Sequence, residues 1–250
     1  MKKFTKIALI LAAVMVGIGV ICLSAAVALG MNFQTLSDMV KEGRFSFGED
    51  DIEMFFKGNS DELREIKEEC RKLDIELDAG TLWVYYDDIE QIQVGQEDVS
   101  AFQCYVEEDT LHIEGGRKLG MYADDGKITL VLPKGKKFEE ADFSIGAGEA
   151  KMEGLTAGQV EIEVGAGEAN VKNLDTSLLK AETGAGELMV ELVGEESDYH
   201  YEAECGIGEI QIGERTFGGL GGKQNVQNPG AQRKLELECG VGEIRITFEK

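Results

Sequence analysis

Glu163-Val164-Gly165-Ala166-Gly167-Glu168-Ala169 decides how this chain is read, because nearly the same phrase is written five times. The other copies are SIGAGEA from Ser144, ETGAGEL from Glu182, ECGIGEI from Glu204 and ECGVGEI from Glu238. Their first glycines, Gly146, Gly165, Gly184, Gly206 and Gly240, are 19, 19, 22 and 34 residues apart. That period suits one coil of a repeat array and is too short for a domain. Such arrays bind along extended faces, which turns the functional reading away from a compact catalytic site.

Outward from the phrase, Val160, Ile162 and Val164 alternate with Glu161 and Glu163 at the period of a strand, valines and isoleucine on one face and glutamates on the other. The paired glycines (Gly146 and Gly148, Gly165 and Gly167, Gly184 and Gly186, Gly206 and Gly208, Gly240 and Gly242) turn the chain, tolerating positive φ or a close backbone approach. Stacked units bring equivalent residues about 4.8 Å apart. The position before the first glycine then reads Ile145, Val164, Thr183, Cys205, Cys239, an inward column consistent with that register. The expected fold is mainly β: a single-stranded β-solenoid of about 19-residue coils over 73–250. Strand patterning starts with Leu73, Ile75 and Leu77, and the glycine-rich run from Gly218 to Gly230 reads as a protruding loop.

The N-terminal region has a different character. After Lys2, Lys3 and Lys6, residues 7–31 contain no charge, and about 25 residues at about 1.5 Å each can cross a hydrocarbon layer of about 30 Å. This predicts a transmembrane signal-anchor with residues 1–6 in the cytoplasm and the remainder outside. A cleaved signal peptide is the alternative, Ala26-Val27-Ala28 having the form a signal peptidase accepts. Cys22 does not read as a lipid-bearing cysteine, since Ile21 precedes it where a small residue is wanted. Residues 32–72 read as a stalk and a helical cap, Ser60 capping a helix whose Leu63, Ile66, Cys70 and Leu73 form one apolar stripe.

The chain of 250 residues carries a formal charge of −23, and beyond residue 31 its 22 basic and 48 acidic residues leave −26. So acidic a surface argues against nucleic acid and leaves cations, basic proteins and neutral polymers as partners.

The phrases ITLVLPKG from Ile128, the GAGE copies, Asp198-Tyr199 and the closing ECGVGEIRITF together resemble a bacterial family described as "putative adhesin", β-strand repeat proteins of unknown function. The resemblance spans about 73–250. It implies a repeat domain behind a membrane anchor or signal, with some relatives in envelope-stress gene clusters, and it implies no catalytic residues.

The remaining motifs are weighed against that background. None of the five phrases completes GxGxxG, because Lys151, Asn170, Met189, Gln211 and Arg245 stand at the third glycine, which argues against nucleotide binding. Glu149, Glu168, Glu187, Glu209 and Glu243 form one ladder, with Glu163, Glu182, Glu204 and Glu238 a second; a calcium ion bridging such carboxylates would relieve their repulsion. Calcium takes six to eight oxygens, however, and single carboxylates lack a wrapping loop, so solvated glutamates are the preferred reading and no cofactor is expected.

Cys205 and Cys239 share a repeat position and either form a disulfide or fill the inward column as thiols. His112 and His200 lack a nucleophile partner, so no catalytic residues are expected and the chain reads as a non-enzyme. Trp83, Tyr85 and Tyr86 are either core and rim residues or a sugar-stacking strip. The expectation is a single-pass extracytoplasmic adhesin or cell-envelope binding module whose partner is an envelope polymer or protein. The alternative is an envelope-stress regulator acting through a membrane partner such as a sensor kinase.

Overall fold

The structure, a computed structural model, describes residues 60–99, 101–116, 126–218 and 221–249. Residues 7–31, assigned above to the membrane anchor, lie outside these, as do 1–6 and 32–59. Among the described residues no helix is long and apolar enough to cross a membrane, and none is an α-helix; Glu196–Asp198 form one 3₁₀ turn.

The strands run in chain order as β1 (Ser60–Ile66), β2 (Lys72–Asp87), β3 (Ile92–Glu97), β4 (Ala101–Glu107), β5 (Thr110–Gly116), β6 (Lys127–Pro133), β7 (Phe138–Glu153) and β8 (Thr156–Val164). Then follow β9 (Glu168–Thr183), β10 (Glu187–Val193), β11 (Tyr199–Cys205), β12 (Glu209–Ile212), β13 (Arg215–Gly218), β14 (Gly222–Val226), β15 (Arg233–Cys239) and β16 (Glu243–Glu249).

These strands join one large mixed sheet, which corrects the expected solenoid. Two findings overturn it. First, the layers do not follow chain order. β2 lies between β7 on one side and β5 and β6 on the other, all parallel. At the far end β15 lies between β9 and β11, and β16 between β10 and β12. The last phrase therefore sits between the third and the fourth. Second, both ends are closed by antiparallel strands: β4 on β5 and β3 on β6 at one end, β14 on β11 and β13 on β12 at the other. A sheet edge left open is a template for further pairing, and the caps close these edges with backbone hydrogen bonds.

The expected helix from Ser60 is likewise corrected. β1 pairs antiparallel with β3, placing Ile66 in the core and leaving Leu63 exposed. An unpaired edge on β3 offers a run of backbone partners, and that tertiary gain overrides local helix preference. The run after Gly218 is no simple protruding loop either, since its Gly222–Val226 part is β14.

Within each layer the chain bends at the glycine phrase into a first arm before it and a second arm after it. Leu73, Ile75 and Leu77 of the first arm and Leu82 and Val84 of the second belong to the same buried cluster, so the bend changes which parity faces inward. The inward column is confirmed, with Ile145, Val164, Thr183, Cys239 and Cys205 all buried in that spatial order. Each fully buried aliphatic side chain contributes about 1.5–3 kcal/mol. Thr183, the polar member, is satisfied because its Oγ1 accepts the Gly186 N–H at 3.2 Å.

Close approach, rather than positive φ, is what the phrase glycines serve. Nine of the ten keep ordinary φ, Gly148 being the exception. The Ala166 N–H donates to the Gly146 carbonyl at 2.8 Å, which draws the next layer down onto the one before it. A β-carbon at Gly167 would overlap the carbonyl oxygen of Gly148.

Candidate functional site

The strand register sorts the outward side chains into two unlike faces. On the first arm, Glu114, Glu76, Ser144, Glu163, Glu182, Glu238 and Glu204 occupy one column of directly paired positions. Beside it run Asp74, Asp142 and Glu161, then Lys180, whose Nζ lies 3.2 Å from Glu161 Oε2. Crowding has an electrostatic consequence. Partial burial, then the neighbours Glu163 and Glu238, raise the Glu182 carboxyl above its ordinary value. Burial followed by Asp74 and Glu114 does the same at Glu76, and burial followed by Glu161 at Asp142.

The second arm carries the other expected ladder, in the order Glu149, Glu168, Glu187, Glu243, Glu209. Its carboxylates are in register, as the repeat predicts, though the last two are exchanged relative to chain order. Lys151 pairs with Glu149 at 2.6 Å, and Arg245 pairs with Glu243. Among the described residues no group of three or more His, Cys, Asp or Glu side chains is placed to hold a metal ion.

At the N-terminal end of this second face the character changes. Trp83 is flanked by Thr129 of β6 and Lys151 of β7, and Tyr85 by Val131 and, in the adjoining row, Glu153. Lys151 in turn faces Asn170 of β9, and Glu153 faces Lys172. All of these but the buried Val131 line a groove of about 470 Å³, with Lys127 beside them. Trp83 is 39% exposed, and the Lys127 Nζ lies 3.6 Å from its ring centroid, a cation held over the electron-rich face of the ring. Tyr86, by contrast, turns inward, donating from its OH to the Lys136 carbonyl at 3.1 Å. Of the aromatic trio noticed in the sequence, two belong to the groove and one to its support.

The groove is formed by strands that are neighbours only because β2 is enclosed by β6 and β7. Sequence spacing carries no sign that Lys127 and Lys151 meet Trp83. The alternation of Trp83 and Tyr85 on one strand face was the available signal.

The two histidines fall on the first-arm face and remain apart. His112 Nδ1 is 2.9 Å from Asp74 Oδ2, and its ring stacks on Tyr105 with centroids 4.8 Å apart. The Tyr105 OH donates to Glu114 at 3.2 Å, and burial followed by that carboxylate pushes the phenol up to about 12. His200 lies at the opposite end of the stack, its Nδ1 buried without a hydrogen-bond partner. Cys70, Cys104, Cys205 and Cys239 are all buried free thiols. Burial pushes Cys70 up to about 11 and Cys104 to about 12, far from the reactive thiolate range.

No family model and no curated protein matches the chain. Solved structures that resemble it include two of bacterial origin. One, described as a "putative cell adhesion protein" from Clostridium sporogenes, aligns over 75% of this chain and 98% of its own with a TM-score of 0.57 and 19% identity. Another, a "putative adhesin" from Bacteroides fragilis, aligns over the same shares at 15% identity with a TM-score of 0.33. What this chain shares with the Clostridium protein is its fold, and the likeness noticed in the glycine phrases is thereby carried into three dimensions.

Proposed function

We propose that the chain is a binding module of the bacterial cell surface, acting in the manner of an adhesin and without catalysis of its own, with an extended envelope polymer as its ligand. In this reading the apolar segment 7–31 attaches it to the membrane. The observation that carries the reading is the groove beside Trp83 and Tyr85. It pairs exposed aromatic surface with hydroxyl, amide and ammonium groups on a rigid sheet, the composition of a site that holds ligands by contact. The fold shared with the Clostridium adhesion protein supports the same conclusion.

The test is co-sedimentation of the full chain with purified cell-wall material. Retention that falls about tenfold in Trp83→Ala, the loss of about 1.4 kcal/mol of contact energy, is the expected result. Retention unchanged by that substitution would remove the groove from the reading, and no retention at all would remove the reading itself.

A further inference from the structure

Resting on that reading, we infer that the groove takes a negatively charged polysaccharide. A formal charge of −23 makes this ligand unexpected for the chain as a whole, yet the charge is unevenly distributed. Lys127, Lys151 and Lys172 line the groove together with one acid, Glu153, while Glu97, in register with Lys127, and Glu149, paired with Lys151, stand at its border. Only Lys151 is neutralised by a close carboxylate; Lys127 rests on Trp83. At physiological ionic strength fields between exposed charges fade over about 8 Å, so a ligand in the groove responds mainly to the lysines beside it. The acidic first-arm face and the glutamate ladder further along the second arm repel the same ligand and so restrict it to the groove.

Geometry favours a polymer of sugar rings. The groove crosses β6, β2, β7 and β9, three inter-strand steps or about 14 Å. That length accepts a short run of rings. The C–H faces of a sugar carry slight positive charge and suit the negative face of an indole or phenol, while Thr129 and Asn170 supply hydrogen bonds to hydroxyls. A nucleic-acid duplex places one charge per about 1.7 Å, hence about eight over this length, far beyond what three lysines match. A polysaccharide bearing about one charge per ring presents a density that three lysines do match.

The experiment titrates the full chain with four probes: uncharged dextran, polygalacturonate, a phosphodiester-linked hexose polymer and a single-stranded oligonucleotide. Alongside the native chain stands a variant with Lys151→Gln and Lys172→Gln, both exposed and outside the core. At least one of the two anionic glycans is expected to bind more tightly than dextran, to weaken at least tenfold in the variant and to weaken with added salt. Which of the two binds identifies the charged group as carboxylate or phosphodiester. Dextran binding as tightly as both anionic glycans would overturn this inference and leave the polymer reading standing. The same division follows if anionic glycan binding is unchanged in the variant. An oligonucleotide bound in preference to every glycan would overturn the choice of polysaccharide, and no binding to any probe would overturn both.

Discussion

Cys205 stands directly opposite Cys239 on adjacent parallel strands, although β12, β13 and β14 intervene in the chain. The contact follows from the insertion of β15 between β9 and β11. Burial and the neighbouring thiol raise the Cys205 thiol above its ordinary value, so Cys205 is not poised as a nucleophile in the folded chain.

Refolding in glutathione disulfide is therefore expected to join these two sulfurs. Two protein thiols are oxidised, one glutathione disulfide is reduced to two glutathiones, and a linked peptide appears in a non-reduced digest. The bond would close a loop of about 34 residues, which the chain-entropy account values at about 4 kcal/mol, seen as a raised melting temperature. Cys239→Ser abolishes both effects. A digest showing no such peptide would dispose of the expectation.

Gly242 and Gly222 make a matched pair for the packing argument. A β-carbon on Gly242 would overlap the Gly186 carbonyl oxygen, whereas one on Gly222 meets its nearest neighbour at 4.0 Å. Gly242→Ala is expected to cost about 1–3 kcal/mol in denaturant unfolding, the usual range for overpacking. Gly222→Ala should be close to neutral, and equal losses at both sites would contradict close approach as the role of the phrase.

Acidification is expected to stabilise the protein at first. Glu76, Asp142 and Glu182 all hold their protons more tightly in the folded sheet than in the unfolded chain. Their ionisation penalty is absent below the ordinary carboxylate value, 4.5 for glutamate, and complete above the raised one. Lowering pH from 7 toward that value thus removes a destabilising term, and the melting temperature should rise. At still lower pH the general loss of carboxylate charge from ion pairs reverses the trend. Glu182→Gln should raise the melting temperature at pH 7 and leave it unchanged near pH 4; the opposite pattern would refute crowding as the cause.

Arg233 fastens the inserted strand. Its guanidinium donates to the Val193 carbonyl at 2.9 Å and to the Tyr199 hydroxyl at 2.8 Å, and pairs with Asp175 at 2.9 Å. Hydrogen bonds to charged groups contribute about 1.5–3 kcal/mol, so Arg233→Ala should destabilise by about 2 kcal/mol. Lysine, lacking the planar fork, should recover little of this. Full recovery in Arg233→Lys would show that charge alone suffices.

The repeat made much of this architecture readable. Val160, Ile162 and Val164 announce their strand by alternation, and Ile145 to Cys239 announce the shared register. What stayed hidden is governed by strand exchange rather than by local pattern. Cys239 follows Cys205 in the chain but lies between it and Thr183, and nothing in either phrase encodes that order. Ser60 to Ile66 carry capping and charge cues for a helix, yet the vacant edge of β3 decides their conformation. The groove depends on the same effect, since Lys127 reaches Trp83 only because β6 returns to pair with β2.

The placement of β15 and β16 between strands that precede them in the chain has a consequence for biogenesis. A ribosome releases β11 and β12 before the layer that separates them from β9 and β10 exists. The half-made chain therefore cannot settle by adding one layer after another. It must keep that interior slot open, or reopen it, until the segment from Arg233 onward emerges, so full consolidation of the sheet waits on that segment however early the other layers form.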